Sequence, residues 1–176
     1  LFNKASTCIL AIFIENSEKN NPAVSFNLGM IFYYKKNFSK AVGYFKKALE
    51  INEFYIQVYP YLGISLYESL SYNEAYSYLA KALEVNDKLK NDLIYFYIAQ
   101  VYEKKKDLKN AINYYNISIE KNINLWICYY SVGRCHIGMG DFKNAIEYYK
   151  KVLEVIKTSP DLDEEKILME KNNIKY

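Results

Sequence analysis

The chain is poor in the residues on which most chemistry depends. Among 176 residues there is one histidine, and Arg134 is the one arginine. No Gly-rich phosphate loop follows a strand-like run, no paired-cysteine motif occurs, and no Ser or Cys has an evident base. Catalytic residues, cofactor sites and metal sites are therefore not expected, and neither is an enzyme. The three cysteines cannot all pair within one molecule, and their spacing is not that of a disulfide framework. Cys128, Cys135 and His136 invite a metal reading. On one helix, however, the two thiols would lie two turns apart, too far to share an ion without a third element. They read as small buried residues in a reducing compartment, which places the protein inside the cell, in the cytoplasm.

Long apolar runs are also missing. None reaches the roughly 18 residues of a membrane span. Residues 8 to 14 resemble a signal-peptide core, but Lys4 alone precedes them and no small-residue cleavage site follows. The chain opens on Leu1 rather than Met and reads as a piece cut from a longer protein. A net charge of +3, with acidic residues interspersed among the basic ones, is too mild to mark a nucleic-acid surface.

What is abundant is apolar and aromatic. Half the residues are apolar and a quarter charged, as in a folded globular chain. Twenty are tyrosine, whose ring can be buried while its hydroxyl stays in water, which suits half-exposed helix faces.

The order in this material is a repeat. Leu28, Gly29, Phe32, Ala41, Phe45 and Ala48 recur as Leu62, Gly63, Leu66, Ala75, Leu79 and Ala82. They recur again as Ile98, Ala99, Tyr102, Ala111, Tyr115 and Ser118, and a fourth time as Val132, Gly133, His136, Ala145, Tyr149 and Val152. The first alanine of the second helix steps from Ala5 to Ala41, Ala75, Ala111 and Ala145 in intervals of 36, 34, 36 and 34. A period of this length signals stacked supersecondary units, and the apolar stripes within each have helical spacing.

The pattern resembles the tetratricopeptide repeat, a helix–turn–helix unit. The resemblance implies an all-α, right-handed superhelical solenoid of antiparallel helix pairs running through the whole chain as a single array. Residues 1–17 would be the second helix of a truncated repeat. Complete repeats would occupy 22–53, 56–87, 91–123 and 126–157, followed by a capping helix over 160–174. Within them, Pro22 suits a first helical turn, Ser39 is a candidate N-cap, and Gly140 with Asp141 reads as a turn and cap. Asn52, Asn86 and Asn122 are expected to end helices in left-handed geometry. Pro60 should delay the start of its helix to near Tyr59.

Proteins similar to this one hold other proteins in a groove lined by the first helix of each repeat. Carrying the groove positions over gives Phe26, Asn27, Met30 and Tyr33, then Tyr61, Ile64 and Tyr67, then Phe96, Tyr97, Gln100 and Glu103, and finally Tyr130 and Arg134. The expected ligand is a peptide or amphipathic helix of another protein. Chaperone-binding members clamp a terminal carboxylate with Lys, Arg and Asn, whereas this chain has Phe26, Met30, Tyr61 and Phe96 there. Two other roles stay open: a self-assembling or structural segment of a larger complex, and single-stranded RNA binding as in the pentatricopeptide relatives, which the charge argues against. Ile9, Ile12 and Phe13 in the truncated first element would favour a homodimer.

Overall fold

The computed structural model describes residues 21–85, 91–123 and 125–158. Among them are eight α-helices and no strand. These are α1 (Pro22–Tyr34), α2 (Phe38–Ile51), α3 (Val58–Glu68), α4 (Tyr72–Glu84), α5 (Leu93–Lys104), α6 (Leu108–Glu120), α7 (Leu125–Gly138) and α8 (Phe142–Thr158). They form two compact units, one ending at Val101 and the other starting at Tyr102, so that α5 contributes to both. The helices expected over 1–17 and 160–174, the dimer contact expected through the former, and Asn86 lie outside the described residues.

One turn, built four times, joins the helices of each pair. Lys36, Leu70, Lys106 and Gly140 have φ of 56°, 64°, 65° and 77°. The next residue then donates its N–H back into the preceding helix: Asn37 to the carbonyl of Phe32 (2.9 Å), Ser71 to Leu66 (2.9 Å), Asp107 to Tyr102 (3.0 Å) and Asp141 to His136 (2.8 Å). This is a Schellman closure, in which a left-handed residue lets the chain satisfy the last carbonyls of the helix. Only Gly140 adopts it without a Cβ penalty.

The residue after the turn starts the second helix. Asn37, Asp107 and Asp141 accept from the N–H groups of Lys40 (3.3 Å), Asn110 (3.2 Å) and Asn144 (3.2 Å). The N-cap of α2 is therefore Asn37 rather than Ser39, which lies within the first turn of a helix that begins at Phe38. Asn122 is left-handed at φ 57°, as its residue type suggested. Asn52 is not: it is extended at φ −148°, and its side chain accepts from the N–H of Phe54 at 3.0 Å. Helix α3 starts late, at Val58, so Pro60 falls in the first turn, where an N–H would have no intrahelical acceptor.

Within the first unit the pairs α1/α2 and α3/α4 pack small against large. Ala41, Phe45 and Ala48 are fully buried, as are Ala75, Leu79 and Ala82. Gly29 lies against Phe45, and Gly63 against Leu79. In the second unit Ala111, Tyr115 and Ser118 are fully buried on α6, and Gly133 lies against Tyr149. Burying one such large side chain contributes roughly 2–3 kcal/mol.

Candidate functional site

In the first unit the apolar packing leaves rings on the face made by α1, α3 and the part of α5 up to Val101. Phe26 is half-buried, with its ring centroid 5.8 Å from Phe45, 5.7 Å from Tyr55 and 5.7 Å from Tyr61. Tyr33, two turns along α1, meets Tyr61 edge-on at 5.6 Å. Tyr67 at the end of α3 meets Tyr97 of α5 at 5.6 Å, and Phe96 lies 5.5 Å from Tyr97. Edge-on pairs of this kind hold rings in fixed orientations and add to simple burial.

Electrostatics ties the two ring groups together at Glu68. The Tyr97 hydroxyl donates to the Glu68 carboxylate. Burial holds the Tyr97 hydroxyl far above the ordinary tyrosine value, with Tyr33 and Glu68 pushing the same way. Tyr33 is raised by burial first, then by Tyr61 and Glu68, and Tyr61 is raised by burial first, then by Tyr34. Glu68 is exposed as a residue, yet partial burial of its carboxyl raises it above the usual carboxylate range. The Tyr97 hydrogen bond and the charge of Lys36 work against that rise.

The expected groove residues of this unit divide by burial. Phe26, Met30, Tyr33, Tyr61, Tyr67 and Tyr97 are half-buried and Asn27 is exposed. Ile64 and Phe96 are buried, at 1% and 5% exposure, and support the face from beneath. Gln100 is half-buried, and its side-chain oxygen has no hydrogen-bond partner. The positions carried over by resemblance did not include Glu68. A lone acidic residue at a helix end carries no sequence signal; only the rings of two other helices give it a role.

In the second unit Tyr130 and Arg134 on α7 are drawn into an internal network. The Arg134 guanidinium pairs with Glu103 and lies 6.0 Å from the centre of the Tyr130 ring, which is 5.5 Å from Tyr149. Tyr115, buried on α6, donates its hydroxyl to the other Glu103 oxygen at 2.8 Å. Burial, and then Glu103, holds that hydroxyl well above the ordinary value. Nearby, the Cys128 thiol donates to the Ile123 carbonyl at 3.3 Å. Burial pushes Cys128 and Cys135 each up to about 12. His136 stacks on Tyr148 and sits 3.1 Å from Asp141. Among the described residues no group of three His, Cys, Asp or Glu could hold a metal ion, and no helix is long and apolar enough to cross a membrane.

Away from the ring-lined face, the first unit has shallow clefts. One of about 320 Å³ is lined by Leu49, Glu53, Phe54, Tyr59, Tyr78 and Lys81. There the Lys81 ammonium already lies over Tyr78 at 5.4 Å and Tyr59 at 6.0 Å.

Helix pairs closed by one recurrent turn, with a glycine facing a large side chain in three of them, define a helical-repeat protein. Family profiles for the tetratricopeptide repeat match residues 22–55, 94–120 and 128–158. The chain belongs to the tetratricopeptide repeat family. The helix pair that carries Pro60 lies outside these matches. No curated protein sequence matches the chain. Solved structures similar to it include MamA, residue 41 to the end, from Desulfovibrio magneticus RS-1, with a TM-score of 0.73 at 19% identity over 82% of this chain and 80% of that one. A further crystal structure of MamA gives a TM-score of 0.71 at 23% identity over 80% and 81%. At these identities the likeness establishes the fold.

Proposed function

We propose that the chain is a non-catalytic protein-interaction scaffold whose first unit holds an apolar segment of a partner, a peptide or amphipathic helix, on the ring-lined face of α1, α3 and α5. The observation that carries this reading is the run of half-buried rings, Phe26, Tyr33, Tyr61, Tyr67 and Tyr97, on successive first helices. An exposed helix face is ordinarily polar, and a contiguous aromatic face is the usual mark of a docking surface. Ring edges supply apolar area, while the tyrosine hydroxyls supply orienting polar groups. The arrangement fits the helix-in-groove mode of recognition. A terminal carboxylate is a poor ligand for it, since the face carries Glu68.

Peptides selected on the full chain from a display library test the reading. Tyr61→Ala and Tyr97→Ala should each weaken capture about thirtyfold or more, the effect of losing roughly 2 kcal/mol at an aromatic anchor. Helix content by circular dichroism should be unchanged. Lys46→Ala and Lys150→Ala should have little effect; Lys46 is engaged with Glu74 at 2.6 Å. If the lysine changes abolish capture and the tyrosine changes do not, the working surface is elsewhere.

A further inference from the structure

One ring contact recurs within the helix pairs. Phe32 stacks on Tyr44 at 5.3 Å and 6°, Tyr102 on Tyr114 at 5.5 Å and 16°, and His136 on Tyr148 at 5.5 Å and 23°. Recurrence at equivalent positions marks the stack itself as packing between paired helices. Its surroundings differ. In the first pair it is flanked by Lys40 and Lys47 with Gly43 between them. At the equivalent places the second and fourth pairs carry an acid, Glu74 and Glu147, and the third carries no charge at all. Phe32, Lys40, Gly43, Tyr44 and Lys47 line an open pocket of about 370 Å³. Both rings are half-buried, and a Cβ on Gly43 would meet nothing within 4 Å. The Lys40 ammonium lies 5.3 Å from the centre of the Phe32 ring. Lys46 is taken by Glu74 at 2.6 Å, but neither Lys40 nor Lys47 has a carboxylate at ion-pair distance among the described residues. The pocket is thus apolar within and bordered by two ammonium groups that no carboxylate neutralises.

We propose that this pocket is a second docking surface, made of other residues than the ring-lined face, and that it takes an acidic amphipathic helix of another protein. One large apolar side chain of that helix fills the pocket, with Asp or Glu one turn to either side. Lys40 and Lys47 stand two turns apart on α2, about 10 Å along its axis, with Gly43 and Tyr44 midway. Carboxylates one turn before and one turn after an apolar residue have the same spacing, so both ion pairs and the apolar contact can form together. Gly43 has no side chain to hold the partner off, and the lysine stems extend the apolar wall towards the rim. Opposite charge at the rim selects the partner, and a basic segment would meet like charge. A nucleic-acid strand gains its affinity from a longer track of cations than two lysines provide.

The test uses the full chain and helical peptides with a central Phe, bracketed one turn away on each side by Glu, Gln or Lys, with binding read by fluorescence anisotropy. The Glu peptide should bind about fivefold tighter than the Gln peptide, the effect of two exposed ion pairs, and the Lys peptide weakest. Replacing the central Phe by Ala should weaken the Glu peptide about tenfold or more. Lys40→Gln combined with Lys47→Gln should erase the preference for Glu, as should high salt. Gly43→Leu puts a side chain into the pocket and a better helix former into α2, so it should abolish binding of the Glu peptide with helix content intact. Tyr61→Ala should leave that binding unchanged. Equal affinity for the Glu and Gln peptides, or no binding of either, would overturn the inference. Binding that survives Gly43→Leu but is lost in Tyr61→Ala would overturn it too, while supporting the scaffold reading of the ring-lined face. A single-stranded RNA oligonucleotide that binds more tightly than the Glu peptide, and depends on the same two lysines, would overturn it in favour of nucleic acid.

Discussion

A Cβ placed on Gly29 would stand 2.5 Å from the ring of Phe45. Contact that close forces a fully buried ring off its seat. Gly29→Ala should therefore destabilise the protein by about 1–3 kcal/mol through overpacking, outweighing the roughly 1 kcal/mol that Ala gains over Gly in a helix. Gly43, inside α2, has open space where its Cβ would be. Gly43→Ala should stabilise by about 0.5–1 kcal/mol. Urea unfolding curves on the two variants should move in opposite directions; equal shifts would mean the Gly29–Phe45 packing yields easily.

The second expectation concerns a turn that carries the wrong residue for its geometry. Leu70 is 72% exposed, so its side chain adds little packing, and its φ of 64° penalises a Cβ. Leu70→Gly should raise stability by up to about 1 kcal/mol, the strain relieved being larger than the flexibility Gly adds to the unfolded chain. Gly140→Leu, at the equivalent place, should lower stability by a similar amount. Thermal midpoints that fall for both variants would contradict the turn geometry.

Third, Glu103 connects α5, α6 and α7 by accepting from Tyr115 and Arg134. Glu103→Ala should cost about 2 kcal/mol, chiefly because the buried Tyr115 hydroxyl loses its charged acceptor. Tyr115→Phe in the Glu103→Ala background should then cost less than it does in the wild type. A double-mutant cycle measures this, and additive changes would show that the bond contributes nothing.

Fourth, the pH dependence of stability should carry the mark of Glu68. Burial raises its carboxyl above the ordinary glutamate value of 4.5 in the folded state. Such a group contributes stability that is fully present below 4.5 and is lost as pH rises through the folded value. Glu68→Gln, neutral at every pH, should therefore melt above the wild type at pH near 8 and match it near pH 4. A variant less stable than the wild type at high pH would mean that the Tyr97 hydrogen bond and Lys36 outweigh the loss of hydration.

The sequence by itself determined the helical repeat, because a small residue facing a large one at fixed intervals is a local pattern that each pair must satisfy on its own. Spacing marked Gly29, Phe45, Gly63 and Leu79 as packing residues, while the contacts of Gly29 with Phe45 and of Gly63 with Leu79 are seen only in the structure; the late start forced by Pro60 followed from its missing N–H. The turns were legible only where the residue type advertises them: Gly140 was readable, whereas Lys36, Leu70 and Lys106 adopt the same left-handed geometry because the flanking helices impose it. Asn52 went the other way, extended where its type allowed a left-handed end. The tertiary structure decided which aromatic residues stay accessible and what the charges do. Ile64 and Phe96 share a pattern with Tyr61 and Tyr97 but are buried, Arg134 is paired with Glu103, and Glu68 acquires its setting from rings on α1 and α5. Periodicity says which face of a helix a residue occupies; what stands opposite that face is set by residues distant in the chain.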